Sequence, residues 1–306
     1  MQCANTILMV RPACFGFNRQ TAITNAFQQL PQTTSAAAIQ DKALQEFDAM
    51  VAQLQQHHIN VLVVNDTEEP VKPDAVFPNN WLGTTHSGII TLFPMQAVNR
   101  RAEKRDDILL ALTKKYTVTD VVDWSEFEAD GFYLEGTGSM VMDHDNKIIY
   151  ACLCDRTHKS LLQKYAQYHH YRVMPFTATD ESGLPIYHTN VMLSVGQGFA
   201  VLAEAAIKNE FERVAVTQLL LTTGHIVIPL SMDQLRSFAG NILQVQTVNG
   251  ESIIVLSKQA LQSLTTEQVK KLQQFGKLLP IAIPTIEAVG GGGVRCMMAE
   301  IFLNSL

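Results

Sequence analysis

Residues 138–153 read GSMVMDHDNKIIYACL: an apolar run, the polar residues His144-Asp145-Asn146, then a second apolar run. Asn and Asp tolerate the positive φ of tight connections, so the stretch reads as a β-hairpin. The same pattern recurs on both sides of it. Upstream, FPNNWLGT and IITL, within Phe77 to Leu92, flank Thr-His-Ser-Gly. Downstream, NVMLSVG and FAVLAE flank Gln197-Gly198, and ILQVQTV and ESIIVLS flank Asn249-Gly250. Each hairpin is followed by a segment free of Pro and Gly and long enough for a helix: Arg100–Lys115, His158–His169, Lys208–Thr222 and Ser257–Phe275. The last should break in two. Thr265 with Gln268 can form a capping box, whereas Ser257 with Ala260 cannot. A further apolar strand closes each unit: YTVTDVVDW, YRVMPF, HIVIPL and KLLPIAI.

The spacing of roughly fifty to sixty residues is near that of repeat architectures. A fifth unit assembles from both ends of the chain: ILMV, a helix around Ala36 to His57, NVLVV, and the C-terminal RCMMAEIFL. Joining first and last strands closes a ring and leaves no open terminal unit. The expected fold is therefore α/β, a five-fold pseudo-symmetric propeller of ββαβ units forming one domain over residues 1–306. An ordinary α/β sandwich with coincidental repeats is the alternative. In a ring, loops from every unit converge at the centre, where a binding site belongs.

Composition limits the functions to consider. The hydrophobic fraction of 47% and charged fraction of 17% allow a substantial core and exclude a disordered chain. A net charge of −6 offers no overall footprint for nucleic acid or anionic membrane. Apolar runs such as Ile148–Leu153 are too short to span a bilayer. The start, MQCANTILMV, lacks the flank and core of a secretory signal. The cysteine count of five is odd, so reduced thiols and a cytoplasmic location are expected. Cys152 and Cys154 have no CxxC or His partner spacing, so no metal is expected, and the tetraglycine at 290–293 is not followed by Lys-Ser/Thr, so no other cofactor is expected either.

Gly290–Gly293 followed by Cys296, in AVGGGGVRCMM, is the most unusual stretch. Free backbone N–H groups beside a thiol can hold a developing anion, which marks Cys296 as a candidate nucleophile. A flexible loop before a buried cysteine is the plainer reading. A thiol nucleophile needs a proton-transfer partner. Of the nine histidines, His188 alone sits immediately before a repeat strand, in PIYHTNVML, at the rim facing the centre. Glu135, in FYLEGTG, opens another unit; it could be a turn acceptor or could orient His188. The three begin different units, and a ring would bring them together.

The motifs DAVFPNNW (Asp74–Trp81), LEGTG (Leu134–Gly138), His188-x-Asn190 and GGGGVRCM (Gly290–Met297) occur in this order and span nearly the whole chain. With them the sequence resembles the guanidino-group-modifying, or pentein, superfamily of arginine deiminases, dimethylarginine dimethylaminohydrolases and amidinotransferases. The resemblance implies that Cys296 attacks the carbon of an amidine-like group. It also implies that His188 protonates the departing nitrogen and then activates water, with Glu135 as its partner.

Departures from the superfamily pattern refine this expectation. Asn79 and Asn80 stand where acidic residues are usual, and Asn190 stands where deiminases carry Asp. Those carboxylates grip a guanidinium through charge-assisted bonds. Asn loses the charge and gains a donor, which favours a neutral ureido group such as that of citrulline. In this the chain is similar to the citrulline-utilisation hydrolase subgroup. Asp74 matches an acidic position expected to meet the substrate amine. Arg156, Arg100 and Arg101 are candidates for its carboxylate, although Arg100 and Arg101 read equally well as a solvated helix start. Amidino transfer, arginine or methylarginine hydrolysis, and a non-catalytic binding ring are the rival functions. The expected partner is a small amino-acid substrate, with a homodimer left open.

Overall fold

A computed structural model describes residues 1–306. The chain runs β1 (Thr6–Arg11), α1 (Ala36–Gln56), β2 (Asn60–Asn65), then β3 (Leu82–Thr84), β4 (Ile89–Leu92), α2 (Asp106–Thr113) and β5 (Asp120–Asp123). The helical turn α3 (Gly136–Ser139) leads into β6 (Val141–Asp143), β7 (Ile148–Cys152), α4 (Lys159–Tyr168) and β8 (Arg172–Phe176). There follow β9 (Leu193–Gly196), β10 (Phe199–Leu202), α5 (Glu210–Thr222), β11 (Ile226–Pro229) and α6 (Met232–Arg236). The last units hold β12 (Leu243–Gln246), β13 (Ser252–Ser257), α7 (Lys258–Ser263), α8 (Thr266–Leu272), β14 (Lys277–Ile281) and β15 (Ala299–Glu300).

These strands form five three-stranded sheets with one shared plan. In each, the middle strand pairs antiparallel with one neighbour and parallel with the other: β4 with β3 and β5, β7 with β6 and β8, β10 with β9 and β11, β13 with β12 and β14. The fifth sheet has the same pattern from both chain ends, with β1 antiparallel to β15 and parallel to β2. The hairpin supplies the antiparallel contact. A helix supplies the crossover that a parallel pair requires. The architecture is thus the expected five-fold α/β propeller. Antiparallel first strands meet across neighbouring units, β6 and β12 against β9, and β15 against β3.

Middle strands are buried along almost their whole length, as Ile148–Cys152 and Phe199–Leu202 illustrate, which explains their unbroken apolar runs. Helix α1 buries Ile39, Ala43, Phe47, Met50 and Leu54, a helical stripe that packs on the core containing Ile7 and Met9. The turn residues behave as their chemistry requires: Gly88, Gly198 and Gly250 have φ of 87°, 82° and 81°. In the second hairpin it is Lys147, at φ 56°, that takes this conformation. The break after Ser263 is real, and Thr265 and Gln268 form the complete capping box that starts α8.

Two expectations are corrected. The helix over Arg100–Lys115 is only Asp106–Thr113, because Arg105 takes extended backbone and caps it; Val98–Glu103 is a separate 3₁₀ turn. The segments FPNN, EGTGS, HTNV and RCM do not extend their hairpin strands. They are short helical turns, at Pro78–Asn80, Gly136–Ser139, Thr189–Val191 and Val294–Met297, and all four pack together at the centre, the second against the first and third and the fourth against the first. No helix is long and apolar enough to cross a membrane.

Candidate active site

Those turns carry the site. Asn79 and Asn80 lie in the first, Glu135 caps the second, and His188 caps the third, which also holds Asn190. Cys296 lies in the fourth. All six residues are buried. His188 Nε2 lies 2.8 Å from Glu135 Oε2, and the other carboxylate oxygen accepts from the Gln96 backbone N–H at 3.0 Å. Cys296 Sγ is 3.3 Å from Asn241 Nδ2 and 3.7 Å from Asn190 Nδ2. His188 and Cys296 line one cavity with Asp74, Asn80, Arg100, Arg156 and Tyr187.

Electrostatics divide the roles. Burial works to raise the Glu135 carboxyl, but Arg156 and the His188 hydrogen bond overcome it and hold the pKa at about 2. Glu135 is therefore an anion and can only accept, which places the imidazole proton on Nε2. Burial lowers His188 to about 4 even with Glu135 favouring the charged form. At neutral pH His188 is thus neutral, with Nδ1 as a bare acceptor. Burial raises the Cys296 thiol; the Asn241 and Asn190 amides and the nearby Arg295 and Arg100 work the other way. The resting pair is a thiol and a neutral base.

Gly138 explains part of the LEGTG motif. A Cβ there would stand 2.5 Å from Asn80 Nδ2 and 2.8 Å from His188 Nδ1, so only glycine admits both groups. The tetraglycine makes a similar fit to the protein itself. Side chains there would collide with Phe77, Asn25, Gln28 and Asn241. The glycines are therefore required by close approach to neighbouring side chains of the protein.

A segment before α1 forms that roof. Asn18 and Thr21 donate to Asp74 Oδ2 at 2.7 and 3.1 Å. Arg156 donates to Thr21 O at 2.8 Å and to Thr24 Oγ1, and its Nη1 sits 3.6 Å from Glu135. Asn25 donates to the Gly291 carbonyl and Gln28 to the Val289 carbonyl. Only about 20 Å³ of water-accessible space remains beneath the roof. That is room for about one water, and any larger occupant needs the segment to move.

The candidate residues separate by position. Asp74, Asn80, Arg100 and Arg156 line the cavity, while Asn190 stands behind the thiol. Arg100 is no solvated helix start: it is buried and held by Glu103. Asn79 turns below the cavity, its Nδ2 donating to Thr137. Arg101 lies outside, paired with Glu128 and the Met95 carbonyl. Arg295 points away from the cavity to Glu300 and the Met298 carbonyl. Asn241 and the roof residues Asn18, Thr21 and Thr24 escaped the sequence reading. Asn241 stands two residues before β12, as Asn80 stands before β3, so extending the repeat to the fourth hairpin points to it. The roof falls in an irregular segment with no periodic signal.

A five-unit propeller with a cysteine, a histidine and a carboxylate on its central turns belongs to the pentein, guanidino-group-modifying superfamily. Residues 11–303 match the family described as N,N dimethylarginine dimethylhydrolase, eukaryotic, and the chain belongs to that family. No curated relative matches the sequence. Among solved structures, it is similar to ArgZ, an arginine dihydrolase from the ornithine-ammonia cycle in cyanobacteria, at 16% identity and a TM-score of 0.75. That match covers 98% of this chain and 41% of ArgZ, so the chain spans less than half of that relative. The N-terminal domain of ArgZ, in a variant covalently bonded to a reaction intermediate, gives 16% identity and a TM-score of 0.75 over 96% of this chain and 97% of that one. A dimethylarginine dimethylaminohydrolase variant, an adduct with S-methyl-L-thiocitrulline, gives 17% identity and a TM-score of 0.66 over 98% and 100%.

Proposed function

We propose that residues 1–306 form a single catalytic domain, a cysteine-dependent hydrolase that cleaves a C–N bond in a linear α-amino acid bearing a ureido group, such as citrulline. The observation that carries the substrate class is Asn80 Nδ2. It is buried, has no hydrogen-bond partner, and faces the cavity beside His188. An unpaired donor calls for an acceptor, and a ureido carbonyl supplies one where a guanidinium supplies only donors. Asp74 Oδ1, also buried and unpartnered, suits the α-ammonium, and Arg156 suits the α-carboxylate once the roof lifts.

The chemistry follows from the proton positions. Cys296 attacks the ureido carbon while its proton passes to His188 Nδ1. The imidazolium, stabilised by Glu135, returns that proton to the departing amine nitrogen as the C–N bond breaks. Water then attacks the S-carbamoyl cysteine, giving up a proton to Nδ1. Carbamate leaves, the thiol is restored, and carbamate decomposes to carbon dioxide and ammonia.

Arginine or a methylarginine is the second reading, favoured by Asp74 Oδ1 as a free carboxylate oxygen and by the likeness to ArgZ. Transfer to an acceptor amine uses the same groups. Mass spectrometry of products from citrulline, arginine, methylarginines and agmatine, without an acceptor and with Cys296→Ala as control, separates these. Ornithine from citrulline is expected. Turnover of arginine with citrulline untouched would overturn the ureido reading.

A further inference from the structure

The turn Val98–Glu103 brings Arg100 and Glu103 into register, because side chains three residues apart eclipse in a 3₁₀ turn. Glu103 accepts from Arg100 Nε and Nη2, both at 2.8 Å. Nη2 also donates to the Phe77 carbonyl at 3.2 Å, and Nη1 donates to Asn80 Oδ1 at 2.9 Å. Both charged groups are buried. Burial lifts the Glu103 carboxyl to about 7, with Arg100 working the other way.

A guanidinium only donates, whereas an amide has one accepting and one donating end. With Arg100 on one side, the Asn80 oxygen must face it; the opposite rotamer would set N–H₂ against a cationic N–H. The donor end is thereby turned into the cavity, where it stands without a partner. Four bonds already occupy the Arg100 fork, which leaves it little capacity to receive a substrate carboxylate.

We infer that Arg100, held by Glu103, is a positioning residue that fixes the amide orientation of Asn80 and so sets the preference for a reacting carbon that bears oxygen. The inference rests on the ureido reading, and its test is separable from that of the reading.

Arg100→Gln alone strands Glu103 in the interior. Replacing the pair, Arg100→Met with Glu103→Leu, removes both charges together, keeps the net charge of the site and suits a buried ion pair. The measurement is kcat/KM for citrulline and for arginine in the paired variant, with and without Asn80→Ala. With Asn80 present, the citrulline-to-arginine preference should fall about tenfold, the equivalent of one hydrogen bond. With Asn80→Ala the pair replacement should leave the preference unchanged, because its route of action is gone. An equal fall for both substrates would overturn the inference, since Arg100 would then hold the carboxylate or only the fold. An equal change of preference in both backgrounds would also overturn it, since the pair would act through its field. If the unsubstituted enzyme turns over arginine and leaves citrulline untouched, the ureido reading fails by itself. The inference is then read on arginine, whose turnover should rise when the freed amide can offer its oxygen, and only with Asn80 present. Should the paired variant not fold by circular dichroism, Arg100→Lys, which keeps the charge and loses the fork, is read in the same way.

Discussion

Glu135 Oε2 and His188 Nε2 stand 2.8 Å apart in the protein interior, joining two turns from neighbouring units of the ring. The contact fixes the tautomer of His188 and leaves Nδ1 as its free acceptor, the atom through which the proposed mechanism exchanges protons with substrate. In Glu135→Gln the imidazolium loses its counter-charge. kcat should fall by about 10²- to 10⁴-fold while KM moves little. Steady-state kinetics with citrulline checks this, and an unchanged kcat would remove Glu135 from the chemistry.

The pH profile follows from the same pair. His188 must be neutral to accept a proton, and burial lowers its pKa from 6.5 to about 4. Activity should therefore hold as pH falls through 6.5 and decline only near 4. Glu135 works to raise that pKa, so Glu135→Gln should shift the acid limb further down. A limb centred near 6.5 in the unsubstituted enzyme would contradict a buried neutral base.

Asn80→Asp presents a charged acceptor where the amide donor now stands. One oxygen can keep the Arg100 contact seen at 2.9 Å, and the other faces the cavity. A charge-assisted bond to a guanidinium should move the arginine-to-citrulline kcat/KM ratio upward by about tenfold or more. No shift in the ratio would count against Asn80 as the substrate-reading group.

Gly138→Ala places a methyl 2.5 Å from Asn80 Nδ2 and 2.8 Å from the His188 ring. Arg100 holds Asn80 and Glu135 holds His188 in place, so overpacking should cost about 1–3 kcal/mol of stability. Activity should fall far more than the loss of folded protein explains. Thermal melts beside kinetics will show whether the two losses separate.

The roof occupies the groups proposed for the substrate ends: Thr21 and Asn18 on Asp74, Thr21 and Thr24 on Arg156. Substrate must displace these bonds, so residues 18–28 should open more readily than the strands. In hydrogen exchange they should exchange well before buried β10, and citrulline bound to Cys296→Ala should slow them. Protection equal to that of β10 would mean that substrate reaches Cys296 by another route.

Sequence by itself determined the repeat and the identity of its chemical groups. Apolar runs, turn residues and the Thr265–Gln268 box report local backbone preferences, which survive in any tertiary setting; hence five units and their connections were legible. So were the positions of the candidates Cys296, His188 and Glu135, each at the head of a unit. Only tertiary structure decided what these groups face. The heads of the units are helical turns and not strand extensions, because they pack against one another at the centre instead of pairing within a sheet. Asn79 and Asn80 are adjacent in the chain, yet one turns below the cavity and the other into it. Arg100 and Arg101 part in the same way, one buried against Glu103 and Asn80, the other half-exposed against Glu128. Local propensity carries no information on which neighbour meets a distant partner. That follows from closing the ring, where burial makes every polar group find a partner or wait for a ligand.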